Sequence, residues 1–74
     1  MDLLYSTWRE CAIEGGGHKW QLREPLADGT TAIHATVVWL PGTLARVFWP
    51  DGRISDHETP AKARYEVEER LTAA

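Results

Sequence analysis

Between Thr31 and Trp49 apolar residues recur at alternate positions on both sides of Pro41-Gly42-Thr43, which predicts two antiparallel strands with a tight connection. A three-residue loop there puts Ile33, Ala35, Val37 and Trp39 on one face with Ala45, Val47 and Trp49. His34, Thr36, Val38 and Leu40 then share the other face with Leu44, Arg46 and Phe48. A loop of two or four residues would set Arg46 among Ala35 and Val37, and the twist of an L-Pro-Gly turn suits a tight hairpin poorly. The odd loop is therefore the expected one.

Residues 18–26 alternate as well, with Trp20 and Leu22 on one side and Lys19, Gln21 and Arg23 on the other. Pro25 near the end of this segment suits an edge position. Asp28-Gly29 is a two-residue hairpin signal that sets Trp20 opposite Val37 and Leu22 opposite Ala35, so both hairpins build one apolar face. Before the sheet, Asp2 caps an expected helix over residues 3–12 with Leu4, Trp8, Cys11 and Ala12 on one side, ended by Gly15-Gly16-Gly17. After it, Pro50-Asp51-Gly52 turns the chain and Arg53-Ile54-Ser55 offers a short fourth strand. Thr59 and Pro60 start a last helix over residues 60–73, with Ala63, Val67 and Leu71 inward and Lys62, Glu66, Glu69 and Arg70 toward water. The expected class is α+β, a three- to four-stranded antiparallel sheet with N- and C-terminal helices on one face, in the order α-β-β-β-(β)-α.

Length narrows this to one domain, 1–74, near the size at which a single core supplies only about 3–5 kcal/mol. With 43% hydrophobic and 26% charged residues the composition is that of a globular chain, and a net charge of -3 moves the electrostatic question to where the charges sit. One cysteine, Cys11, precludes an internal disulfide and fits a reduced compartment. No apolar run reaches the roughly 20 residues of a membrane span, and the opening Met1-Asp2 is unlike a secretory leader. A cytoplasmic protein is expected.

Cys11, His18, His34 and His57 have the side chains of zinc ligands but none of the ligand spacings. Asp51, Asp56 and Glu58 crowd the last turn without an apolar cleft to separate their acidities, and the glycine triplet is neither led by a strand nor followed by a helix start as a phosphate loop is. A non-enzymatic chain without metal or cofactor is the expectation. The predicted outer sheet face gathers Lys19, Arg23, His34 and Arg46 around Phe48 and Leu44, while acidic residues concentrate from Asp51 to Glu58 and on the last helix. Such segregation points to a partner. The contact residues expected are Lys19, Arg23, His34, Leu44, Arg46 and Phe48 on the sheet, or Asp56, Glu66 and Glu69 on the acidic side. A protein partner comes first, a nucleic-acid backbone second, and a homodimer through Leu40, Leu44 and Phe48 third.

The expected order of helix, three strands and helix resembles the double-stranded RNA-binding domain, and the likeness of topology covers most of the chain. Lys62 and Arg64 in Thr59-Pro60-Ala61-Lys62-Ala63-Arg64 stand where that family carries a basic clamp, and Ala27-Asp28-Gly29-Thr30 stands where its loop carries a histidine. The resemblance implies a nucleic-acid-binding module as the alternative function. In size, acidity and lack of a catalytic motif the chain also resembles small accessory proteins of phages and mobile elements, anti-CRISPR proteins among them. That likeness implies stoichiometric inhibition of a host nucleoprotein complex in the host cytoplasm.

Overall fold

The computed structural model of the chain describes residues 6–72. Five strands, β1 (Thr7–Ile13), β2 (Gly17–Pro25), β3 (Thr31–Trp39), β4 (Ala45–Phe48) and β5 (Ile54–His57), precede one helix, α1 (Pro60–Thr72). They form a single antiparallel sheet in sequence order, β1-β2-β3-β4-β5, and α1 lies on one face across β3, β4 and β5. The α+β class holds, with the C-terminal helix where the Thr59-Pro60 signal put it. Thr59 Oγ1 accepts a hydrogen bond from the Lys62 backbone N–H at 3.1 Å, the capping bond expected of that residue.

The expected N-terminal helix is not formed: Thr7–Ile13 is an edge strand. Trp8, Cys11 and Ala12 fit a helical stripe, but Trp8, Glu10 and Ala12 fit a strand face equally, and pairing with β2 decides between them. The glycine triplet closes that hairpin through Glu14-Gly15-Gly16, where Gly15 and Gly16 take positive φ of 82° and 76°. The Asp2 cap and residues 3–5 lie outside the described residues. With a strand in first place, the order of elements no longer follows that of the double-stranded RNA-binding domain.

Pairing of Val37 with Val47 and of Val38 with Arg46 fixes the β3–β4 register expected from the three-residue loop. Thr43 closes the loop, its N–H donating to the Leu40 carbonyl at 3.0 Å and its hydroxyl to the same oxygen at 2.7 Å. The β2–β3 hairpin matches expectation at Trp20–Val37 and Leu22–Ala35, but its loop is Ala27-Asp28-Gly29, one residue longer than the Asp28-Gly29 signal. A β-bulge between Leu22 and Arg23 restores the register by leaving His34 without a partner of its own. Ile33 therefore pairs with Arg23 and faces outward at 51% exposure, a reversal of its expected place in the core.

The core lies between the sheet and α1: Trp20, Leu22, Ala35, Val37, Ala45, Val47 and Trp49 against Ala63 and Val67, with Trp8, Trp39 and Leu71 packed around them. Three alanines at the contact let α1 approach closely, and the indoles seal the margins. Trp49 donates its Nε1–H to Ser55 Oγ at 2.8 Å beneath the Arg70 guanidinium, 5.4 Å from the ring centroid. Trp20 donates to Glu10 Oε2 at 3.0 Å, and Arg64 lies 5.1 Å over its ring.

Two stability predictions follow from this packing. Trp49→Ala removes a core wall and leaves Ser55 without its donor, a loss of about 3–5 kcal/mol that is comparable with the whole stability of a domain this size. Its thermal melt, followed by far-UV circular dichroism, loses cooperativity. Gly17 is buried where β2 leaves its turn, and a Cβ there would stand 2.6 Å from Leu40 Cδ2 and 2.6 Å from the Trp39 carbonyl oxygen. Gly17→Ala forces the β2 and β3 backbones apart and lowers the urea midpoint by the equivalent of about 1–3 kcal/mol.

Candidate functional site

The face of the sheet opposite α1 carries no element among the described residues, and the register lays its side chains out in rows. One row runs Ile13, Gly17, Leu40 and Leu44; the next runs Cys11, Lys19, Val38, Arg46 and Asp56; a third runs Arg9, Gln21, Thr36, Phe48 and Ile54. Apolar side chains gather over β3, β4 and β5, and cations without an ion pair among the described residues over β1 and β2. Leu44 is 55% exposed, Ile54 56% and Phe48 42%. Between them lies a shallow basin of about 410 Å3 lined by Val38, Leu40, Thr43, Leu44, Arg46, Phe48 and Asp56.

Of the expected contact residues, the structure brings Lys19, Arg23, Leu44, Arg46, Phe48 and Asp56 onto this one face. Asp56, expected among the acidic groups, is the cross-strand partner of Arg46, with Arg46 Nε donating to Asp56 Oδ1 at 2.9 Å. That hydrogen bond and its charge hold the Asp56 carboxyl below its ordinary value and raise the Arg46 guanidinium. Arg46 is thus neutralised locally. Arg23 is tied to Gln21 by a donation from Nε at 2.9 Å, and Arg9, Lys19 and Arg23 enter none of the ion pairs among the described residues.

His34 leaves the face, contrary to the expected register. The bulge turns its ring to the helix side of the sheet, where Nε2 meets Glu24 Oε1 at 2.9 Å and the ring is half-buried. Glu66 and Glu69 lie on α1, on the far side of the sheet from the basin. Glu66 binds Arg70 at 2.6 Å as its spacing predicts, whereas Lys62 reaches back to Glu58 at 2.9 Å rather than forward to Glu66. A hydrogen bond to Glu69 raises the Tyr65 phenol above its ordinary value. Ile33 and Ile54 belong to the exposed face and escaped the sequence reading: the bulge moved the first, and the second lies one step along a strand that was expected only in outline.

No group of three or more acidic, histidine or cysteine side chains is arranged to hold a metal ion among the described residues. Cys11 is half-buried on the outer face of β1, whereas His18 pairs with Trp39 on the helix side and stacks between Trp20 and Trp39, at 5.6 and 6.1 Å between centroids. Ser55 and His57 approach within 2.9 Å, the least that nucleophile activation needs. Indole can only donate, so Ser55 Oγ accepts from Trp49, and a second hydrogen bond joins it to His57 Nε2. The hydroxyl is half-buried on the helix side, and among the described residues no carboxylate hydrogen-bonds the imidazole. The arrangement locks Trp49 in place. No helix among the described residues is long and apolar enough to cross a membrane.

Because the folded-state Asp56 carboxyl lies below its ordinary 3.8, its ion pair stabilises the fold at neutral pH and ceases to do so as the pH falls through the depressed value. Asp51 and Glu58, held down by Arg53 and Lys62, act in the same sense. The urea midpoint is expected to stay level from neutral pH to the carboxylate range and then to fall. Asp56→Asn lowers the neutral plateau slightly and makes the acid limb shallower, which equilibrium unfolding across the pH range checks. Comparison with family models, with curated proteins and with solved structures found no match for this chain.

Proposed function

We propose that this chain is a non-enzymatic protein-binding module whose working surface is the outer face of its sheet. The observation that carries the reading is the apolar strip of exposed Leu40, Leu44, Phe48 and Ile54 with half-buried Val38, at and beside the basin. Alternation in a solvated antiparallel sheet ordinarily puts polar residues on the open side, so a contiguous apolar group there exceeds what solubility asks and fits an interface. Cations on the adjacent strands give that interface a polar rim. Occupation of a partner's surface needs no reacting group. A stoichiometric inhibitor of the phage accessory kind would use this same surface.

Nucleic-acid binding is the weaker alternative. Single-strand platforms combine several stacking aromatics with a cationic track, while this face has Phe48 and a set of aliphatic side chains, and its central guanidinium is already paired with Asp56.

Leu44→Glu combined with Phe48→Glu tests the proposal, because both residues are exposed and their replacement leaves the core intact. The double variant is expected to melt as the parent does and to lose at least tenfold of the nuclease-resistant partner captured in stoichiometric amount from extract. Glu66→Lys with Glu69→Lys, on the other side of the molecule, is expected to keep it. Equal capture by the sheet variant, or capture abolished by nuclease, would count against the reading.

A further inference from the structure

We infer that the outer face is built to receive one acidic, amphipathic α-helix of a partner protein, lying over β3, β4 and β5 with its carboxylates turned toward β1 and β2. The inference rests on the protein-binding reading and names the partner's chemistry. Three adjacent strands span about 10 Å between their outer axes, close to the width of one helix. On the inner face the chain's own α1 packs mainly over those same three strands, and side chains such as Glu68 and Arg64 reach from it to Trp8 of β1 and Trp20 of β2.

The outer face repeats this plan with no helix over it among the described residues. Its exposed apolar residues lie on β3 to β5 and at the connections beside them, with Ile13 beside Leu40 at the end of β1, and the rest of the next two columns presents Arg9, Lys19 and Arg23, three cations with no carboxylate on the outward positions of β1 or β2. Charge complementarity therefore selects one flank of the incoming helix, which must be acidic, while the apolar strip selects its stripe. The opposite flank meets Arg46 and Asp56, already paired with each other, and needs no net charge. A nucleic acid would leave the aliphatic strip unmatched. A second copy laid face to face about an axis parallel to the strands would bring Lys19 over Arg46 of the other chain.

Selection from a displayed library of 18-residue helices tests this, with a fixed leucine stripe, randomised flanks, the full chain as target and Leu44→Glu/Phe48→Glu as counter-target. The expected result is enrichment of Asp and Glu on one flank only. Changing those residues to Lys in an enriched peptide should weaken binding at least tenfold, and the Lys peptide should recover it on the Arg9→Glu/Lys19→Glu/Arg23→Glu chain. Flanks without acidic bias, or peptides indifferent to the charge-reversed chain, would overturn the inference. So would salt-sensitive binding of oligothymidylate to the same residues, or a dimer in light scattering that the counter-target dissolves. Should cellular capture depend on Leu44 and Phe48 while the library shows no acidic preference, the helix is wrong and the protein-binding module stands; should capture ignore both residues, both readings fall.

Discussion

Side chains alternate across a strand, so two strands joined by a loop keep their apolar residues together only if the loop has the right parity. Four loops share one odd length, residues 14–16, 27–29, 41–43 and 50–52; three meet the constraint by themselves, and at 27–29 the β-bulge at His34 supplies the one-residue shift that sets Trp20 opposite Val37. Each sets the residues that flank it opposite one another. As a result Trp20, Val37 and Val47 stand in one line across three strands, and a helix can close over them. A single residue added to one loop would turn Val47 outward and Arg46 under α1. The small size of the core makes that constraint severe, because no second layer exists to absorb an error.

How much of this can be read from residues alone differs from hairpin to hairpin. At β3–β4 an even loop would have buried Arg46, so composition and turn chemistry agree and the register is legible. At β2–β3 the expected pairs are present although the expected loop is one residue too short. The bulge at His34 compensates, and nothing in Ile33-His34-Ala35 announces it, since each of the three is acceptable in a strand on either face. That bulge also removes His34 from the candidate site and adds Ile33 to it. The N-terminal segment is ambiguous in a different way: its apolar residues satisfy both periods, and a seven-residue strand at an edge becomes stable only through β2, a contact that local pattern does not contain.

Asp56 shows the limit for the site. Its sequence neighbourhood of turn and acidic residues assigns it to the acidic side, yet β5 continues two residues beyond the expected strand and carries it under Arg46. The pairing takes the central guanidinium of the outer face out of play as a free cation. What remains is a division of the exposed side chains, apolar on β3 to β5 and their connections and, apart from Ile13 at the end of β1, cationic on β1 and β2. The charged residues alone would have suggested a basic surface; the register converts it into an exposed apolar strip with a basic border.

The two faces of the sheet treat apolar surface differently, and the difference bears on function. One helix cannot cover five strands that span about 20 Å, so part of the inner face would also be open. There the chain supplies a polar lid: Trp8 donates to Glu68 at 2.8 Å, Trp20 to Glu10 at 3.0 Å, and Arg64 stacks on Trp20. Trp8 and Trp20 thus each have a hydrogen-bond partner, and Trp39 stacks on the His18 ring, so the margin is contacted from within the molecule. Leu44, Phe48 and Ile54 are 55%, 42% and 56% exposed, and the neighbours they have on this face are mostly one another, Val38, Leu40 and the Arg46–Asp56 pair. Strand propensity can explain β-branched and aromatic residues on such a face one at a time. It does not explain why the exposed ones collect over the three strands on which α1 mainly packs while Arg9, Lys19 and Arg23 collect over β1 and β2.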